Sequence, residues 1–316
     1  MASKRERNNT SANIGKTAHK VLCIGEVLWD MLPTGAKVGG APLNVALHLR
    51  KFGIDSIFAG RVGDDDLGKE LMEFINANGL DTRLIQTDTQ NPTSTVEVFL
   101  GENNHVSYEI VDNVAWDFFE ADSEIKEVAG KSDVIIYGTL SSRHSFTRNN
   151  IFSLLDGKSL KLIDVNLRPP FHTKEVVELL ISKADIAKLN DDELRVIGEW
   201  YGMKLSQKEL AKWFISKYKC QLVCITRGEN GAMIYDGDQY YEHPGYKVKV
   251  VDTVGSGDAF LAGFLSKYLS GEPTQQALDF ACATGAFVAT REGATPDYRI
   301  EDINEIICRK TTTRSV

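Results

Sequence analysis

Ten residues near the C-terminal end of this 316-residue chain combine a place for an anion with a group that can take a proton. Val251-Asp252-Thr253-Val254-Gly255-Ser256-Gly257-Asp258-Ala259-Phe260 reads as the end of a strand, a turn with two glycines, and a helix starting at Ala259. N–H groups at a helix start lack partners within the helix, and a glycine-lined turn lets phosphate approach them. Asp258 lies in the same turn and would repel phosphate. It is suited instead to accept a proton from a hydroxyl lined up to attack that phosphate. The competing structural role is a helix N-cap, for which Ser and Asp are common. Asp252-Thr253 ahead of the glycines favours the chemical role.

The bulk numbers bound what such a site serves. Composition is 42% hydrophobic and 25% charged, as in ordinary globular proteins. A chain of this length buries roughly three quarters of its unfolded surface, enough for one large α/β domain. A net charge of -8 argues against nucleic acid as the main partner and against a basic membrane-docking face. No apolar run approaches the length of a membrane span. The five cysteines, Cys23, Cys220, Cys224, Cys282 and Cys308, are scattered without a C-x-x-C pair, which suggests reduced thiols in a cytoplasmic protein. The histidines show no metal-ligand spacing, so no structural metal is expected. Residues 1–20 are polar and lack a secretory hydrophobic stretch, so a disordered tail is expected there. A second short tail is expected over 311–316.

The elements that must position the site follow from periodicity. Val21 to Gly25 opens a buried strand, and Gly39-Gly40 leads into a helix over Ala41–Phe52. Ser56–Ala59 reads as a strand and Leu67–Asn78 as a helix stopped by Gly79. Ser94–Leu100 and His105–Ile110 read as a hairpin joined by residues 101–104, with one face wet. From residue 133 onward, apolar strands at Val134–Tyr137, Leu160–Val165, Ile186–Leu189 and Leu222–Thr226 alternate with helical stretches. That is the pattern of a parallel sheet covered on both faces. Asn230-Gly231 and Asp236-Gly237 mark turns of an antiparallel extension. A last long helix is expected over Thr274–Thr290. The expectation is one α/β domain over 21–310, with a small β lid drawn from about 30–38 and 93–116.

Ligands of open α/β sheets gather at the carboxyl ends of strands. The candidates there are Asp30, Asn166-Leu167-Arg168, Asn190 with Glu193, Thr226-Arg227-Gly228, and the Gly255–Asp258 turn. Two segments imitate a nucleotide P-loop and fail as one. Gly15-Lys16-Thr17 lacks the earlier glycine, and Gly63-Asp64-Asp65-Asp66-Leu67-Gly68-Lys69 carries three acids and is followed by Glu70.

Two segments together resemble a known family. Gly39-Gly40-Ala41-Pro42-Leu43-Asn44-Val45-Ala46, followed by Leu49 and Gly53, is similar to the N-terminal signature of the ribokinase-like (PfkB) carbohydrate kinases. Asp252 to Phe260 matches their C-terminal signature, and Val62-Gly63-x-Asp65-x-x-Gly68 fits a third element. The resemblance covers about residues 21–298. Gly25-Glu26-x-x-x-Asp30 and Asp164-Val165-Asn166-Leu167-Arg168-Pro169-Pro170 most resemble fructokinases.

The resemblance implies a ribokinase-like three-layer αβα fold with a mostly parallel sheet, the sugar under the lid and ATP across the sheet end. Asp258 would be the base, and the amides of Gly255, Ser256 and Gly257 an anion hole for the γ-phosphate. Asp30, Gly39, Gly40, Asn44 and Arg168 would bind the sugar. Each has a plainer role as well: a turn cap for Asp30, a turn for the glycines, an exposed amide for Asn44, a surface ion pair for Arg168. Asn190 and Glu193 would organise waters around Mg2+, although N-x-x-E also caps helices. Thr226, Gly228 and Gly231 would line ATP, and the Ala283–Thr290 helix face would back the adenine or simply pack the core. Relatives bind a monovalent cation beside the anion hole, and the matching positions for K+ are Asp252, the Val254 carbonyl and the backbone near Gly293. Lid sheets of the family also pair across homodimers.

The leading expectation is therefore ATP-dependent phosphorylation of a sugar primary hydroxyl, fructose to fructose 6-phosphate. A kinase of 2-keto-3-deoxygluconate or ribose is the alternative within enzymes. A catalytically inactive regulatory relative is the alternative outside them, against which Asp258 and the glycines speak.

Overall fold

Alternation along the first strand sets up two separate cores. In β1 (Lys20–Ile24), Val21 and Cys23 face one side while Leu22 and Ile24 face the other, and all four are fully buried. A strand apolar on both faces must sit centrally in a sheet covered twice. In the computed structural model, residues 19–32, 35–100 and 106–312 are described. Of the expected tails over 1–20 and 311–316, residues 1–18 and 313–316 lie outside the described residues, as does the 101–104 turn, whereas Lys20 opens the first strand and residues 311–312 belong to the last helix.

The chain continues through β2 (Leu28–Leu32), β3 (Gly35–Gly39), α1 (Ala41–Lys51), β4 (Asp55–Gly63), α2 (Asp66–Ala77), β5 (Ile85–Asp88), β6 (Ser94–Leu100) and β7 (Val106–Ile110). Then come α3 (Ser123–Lys131), β8 (Val134–Gly138), α4 (Ser145–Leu154), β9 (Leu160–Asp164), α5 (Lys174–Ile181), β10 (Ile186–Asn190), α6 (Asp191–Glu199), α7 (Gln207–Tyr218) and β11 (Leu222–Thr226). The end of the chain supplies β12 (Ala232–Tyr235), β13 (Tyr240–His243), α8 (Ser256–Leu269), α9 (Thr274–Ala289) and α10 (Ile300–Thr312).

Nine strands form the main sheet in the order β13-β12-β11-β10-β9-β8-β1-β4-β5. The strands from β11 to β5 run parallel, and β12 and β13 add the antiparallel extension. Helices α3 to α7 cover one face, around Phe214, Ile151 and Leu180. Helices α1, α2, α8 and α9 cover the other, around Leu43, Leu71, Phe264 and Ala281. Each large aliphatic chain buried in these layers contributes about 1.5–3 kcal/mol of transfer free energy.

A separate four-stranded sheet, β3-β2-β6-β7, is the lid. Its β2–β3 and β6–β7 pairs are antiparallel, and β2–β6 is parallel. Of the expected second lid segment, residues 111–116 leave the sheet, and Trp116 is buried against Val114 and Leu140. Asp30 was expected at a strand end of the main sheet, but it lies in mid-β2, opposite Lys37. That register also removes the turn-cap role considered for it.

One carboxylate joins lid and body. Asp65 caps α2 by accepting from Gly68 N at 2.7 Å, and it also accepts from Thr93 N at 2.8 Å and Thr93 Oγ1 at 2.7 Å, where the chain enters β6. Partial burial opposes its charge, but the Thr93 and Gly68 bonds outweigh that and hold its carboxyl below the usual range. Replacing Asp65 by Ala is expected to cost about 1–3 kcal/mol of stability. Denaturant titration checks this, and an unchanged midpoint would show that the Asp65 bonds do not hold the lid base.

Candidate active site

The glycine turn comes out differently from its reading in one respect. The run before Val251 is not a strand. Residues 244–250 carry no ladder partner, Val250 and Val251 are more than half exposed, and Val251 N donates to the Ala289 carbonyl at the end of α9. The stretch instead forms one wall of a groove whose other side carries Phe287 and Ile306, and its Tyr246 packs against the core. The helix also starts earlier than expected, at Ser256, so the glycine turn is itself the N-terminus of α8.

Gly255 stands at the N-cap with φ 73°, and no side chain caps the helix. A Cβ there would lie 2.5 Å from the Ala294 backbone, so both conformation and space demand glycine. Ser256 N–H is engaged with the Thr253 carbonyl at 3.2 Å, which makes Gly255 and Gly257 the more available donors of the turn. Ser256 Oγ is buried without a hydrogen-bond partner among the described residues. The helix dipole adds partial positive charge at this end.

Asp258 is buried in the first turn of α8 and does not cap it. Its Oδ2 accepts from Asn44 Nδ2 of α1 at 2.8 Å, which puts Asn44 inside the site instead of on the surface. Burial pushes the Asp258 carboxyl up to about 7, against the lowering influence of Lys188, the Asn44 bond and Arg168. Asp258 is thereby poised near neutral pH, where a general base works best.

Helix α1 also secures the far side of the turn. His48 is fully buried and lies 2.9 Å from the Ala294 carbonyl and 2.7 Å from Tyr298 Oη. Burial, with the Lys51 charge, pushes its imidazole down to about 3, so the neutral ring donates from Nε2 and accepts from Tyr298. Lys51 Nζ donates to the carbonyls of Thr295 and Pro296.

On the lid side, Asp30 Oδ2 lies 2.5 Å from where a Cβ of Gly39 would stand, so the bare glycine lets the carboxylate reach across the sheet. Burial raises the Asp30 carboxyl above its usual range, and Arg168 partly offsets this. At Gly40, φ 115°, an added Cβ would collide with the Glu26 carbonyl, so the position requires glycine. Arg168 is exposed and donates from Nη1 to the Leu167 carbonyl at 3.2 Å. Its charge reaches Asp30, Glu26 and Asp258.

On the opposite side, Asn190 and Glu193 form a reciprocal cap at the start of α6. Glu193 accepts from Asn190 N and, through its other oxygen, from Leu167 N, both at 2.8 Å. With both oxygens bonded to backbone, Glu193 fits a role through water better than direct ligation of a metal. Thr226 ends β11, and Gly228 and Gly231, φ 54° and 78°, close a tight loop in which Arg227 N donates to the Gly231 carbonyl at 2.8 Å. Asp252 gathers the proposed cation positions, accepting from Val254 N and Gly293 N at 3.0 Å each. One lone pair on each oxygen remains for a cation.

Sequence reasoning missed three charged residues here. Lys188 bridges both oxygens of Asp164 at 3.0 and 2.9 Å, and both residues are buried. Glu26 is buried beside Ser141, with its Oε2 unpaired among the described residues, and burial raises its carboxyl. The overlooked signal was a charge within an apolar strand: Lys188 in Ile186–Leu189 and Asp164 in Leu162–Val165.

With this geometry in place, comparison with known proteins defines the class. Residues 20–300 match the profile of the pfkB family carbohydrate kinases. The chain is 30% identical to probable fructokinase-7 of Arabidopsis thaliana over 306 residues, covering 87% of this chain and 88% of that one. It is 26% identical to an ATP-dependent 6-phosphofructokinase of Thermoanaerobacterium thermosaccharolyticum, covering 91% and 92%. Among solved structures, a Xylella fastidiosa fructokinase with bound ATP superposes with a TM-score of 0.83 at 23% identity, over 92% of this chain and 99% of that one. A Vibrio cholerae fructokinase double mutant holding fructose, ADP and potassium gives 0.78 at 22%, over 93% and 99%. The chain belongs to the pfkB family of carbohydrate kinases. It is a sugar kinase with the ribokinase-like fold.

The raised Asp258 carboxyl has a consequence for stability. Its folded value lies above the ordinary carboxylate value, so its contribution is fully present below about 4 and is lost progressively as pH rises from there through about 7. Asp258→Asn keeps the Asn44 contact without the buried charge. The variant is expected to melt several degrees above the parent at pH 8 and to approach it only as pH falls to about 4. Equal melting temperatures at pH 8 would remove Asp258 from the strained groups.

Proposed function

We propose that this kinase transfers the γ-phosphoryl group of ATP to the primary hydroxyl of a ketohexose, making fructose 6-phosphate from D-fructose. The observation that carries the reading is a buried, neutral-poised carboxylate in the same helical turn as the glycine amides. Asp258 takes the hydroxyl proton, the freed oxygen bonds to the γ-phosphorus, and the bond from that phosphorus to the oxygen of ADP breaks. Little basicity is needed in a loose transition state, so placement by Asn44 counts for more than strength. The amides of Gly255 and Gly257, joined by that of Ser256 where it turns from the Thr253 carbonyl, donate to the charge that builds on the γ-phosphate.

The sugar lies between lid and body. Asp30 accepts hydrogen bonds from two of its hydroxyls, with Gly39, Gly40, Asn44 and Arg168 around it. A buried carboxylate of this kind discriminates sharply, because a sugar lacking those hydroxyls leaves it unpaired. The nucleotide runs past Asn190, Glu193, Thr226, Gly228 and Gly231 towards the groove at the end of α9. Mg2+ held through waters near Asn190 and Glu193 would neutralise phosphate charge, and K+ near Asp252, Val254 and Gly293 would do so beside the turn. The names of the plant relatives favour fructose as acceptor, and the ATP in the Xylella structure favours ATP as donor.

Following ADP release over a panel of ketoses, aldoses and sugar acids should give the highest kcat/KM with fructose. Asp258→Ala should lose about 10²–10⁴-fold in turnover and still bind ATP. Near-normal turnover in that variant would overturn the assignment of the base. Asp30→Ala should raise KM for the sugar far more than KM for ATP, and equal changes in both would take Asp30 out of the sugar site.

A further inference from the structure

We propose that Lys188 is a positioning residue for phosphoryl transfer: a buried ammonium, clamped by Asp164, that supports the glycine turn from behind and keeps Asp258 in its working, ionised form. This rests on the reading of Asp258 as the base. The geometry begins in the sheet. Lys188 of β10 stands directly opposite Asp164 of β9 in the parallel register, so the two side chains leave the same face side by side. On that face the preceding inward residues, Ile186 and Leu162, belong to the core under α8. The ion pair therefore occupies the last layer of that core, immediately beneath the start of α8.

The ammonium reaches the turn itself. A Cβ on Gly257 would stand 3.2 Å from Lys188 Nζ, so Gly257 is bare on the side where the lysine arrives. Lys188 is 7% exposed and Asp164 4%, and neither is open to solvent as a surface pair would be. Burial disfavours the ammonium, but Asp164, Asp258 and Glu193 outweigh that and raise its pKa, so Lys188 stays charged. Asp258 is faced by Lys188 from β10, by Asp164 from β9, by Arg168 from the following loop, and by the amide of Asn44 from α1. Of those that favour its ionised form, Lys188 acts most strongly.

An uncompensated carboxylate in this layer would take up a proton and cease to be a base. Asp164 alone would add to that tendency, since like charges oppose each other's ionisation. The two members of the pair thus act on Asp258 in opposite senses. A merely structural salt bridge would lack this property, because losing either partner would disturb the fold in the same direction.

The experiment is the pH profile of kcat/KM for phosphorylation of fructose by the full chain, compared with Lys188→Met and Asp164→Asn. Lys188→Met is expected to move the acid limb to higher pH by about one unit, with kcat reduced and KM for ATP little changed. Asp164→Asn is expected to move the limb to lower pH. Limbs that stay in place, or that move in the same direction, overturn the proposal. If Lys188→Met does not fold, as judged by its melting transition, Asp164→Asn decides alone, with a downward shift required. Asp258→Asn keeps the two claims apart. If the acid limb survives in that variant, the base was misassigned. If it disappears there but is unmoved in the Lys188 and Asp164 variants, only the role of Lys188 fails.

Discussion

Asp164, Glu193 and Asp258 are three carboxylates buried within one site, and Lys188 is a buried cation set among them. The proposed reaction would bring phosphate oxygens to the same place. Negative charge removed from water is costly unless it is paired and hydrogen-bonded. Each acid here has its own settlement. Asp164 is held by the lysine, Glu193 by two backbone amides, and Asp258 by one hydrogen bond from Asn44 together with the charges of Lys188 and Arg168. The least satisfied of the three is the one whose proton affinity is pushed up to about 7. Incomplete satisfaction in a structural group is a defect. In a group that takes and returns a proton, as proposed for Asp258, it would set the working range.

The fold places these groups by a simple device. Parallel strands end together, so Asp164, Asn190 and Thr226 arrive at one edge of the sheet from β9, β10 and β11. The N-terminus of α8 then supplies donors to that edge from one covering layer, and α1 supplies Asn44 from a neighbouring position in the same layer. The lid is different in kind. Its strands come from two separated stretches, 28–39 and 94–110, and Asp65 fastens the second stretch to α2. The proposed sugar site would thus lie between a part buried in the main sheet and a part fastened at Asp65 by hydrogen bonds.

Much of this was legible in the sequence because it rests on local spacing. The strand Leu222–Thr226 appears with the expected bounds, and α1 and α9 fall within a residue of theirs, since apolar periodicity and flanking glycines are local signals. The extended run to Val251 misled because its valines read as strand residues, although Val250 and Val251 are more than half exposed in the fold. Asn44 and Asp258 are 214 positions apart, and no spacing rule joins them. Lys188 was overlooked for the opposite reason. A lysine within Ile186–Leu189 reads as noise in an apolar pattern until the neighbouring strand shows an aspartate in register. Charged residues embedded in otherwise buried strands merit the attention given to glycine motifs.

Helix α1 holds Asn44 against Asp258 and, one turn further on, His48 against the Ala294 carbonyl that abuts Gly255. It therefore touches both flanks of the glycine turn at the start of α8. A helical rise of about 1.5 Å per residue makes it a ruler about 6 Å long between the two contacts. Its neutral histidine does not change state over the physiological range, so the length of that ruler is independent of pH while the carboxylate beside it titrates. The molecule thus separates the part that senses protons from the part that keeps distance, and both are carried by the same two helices.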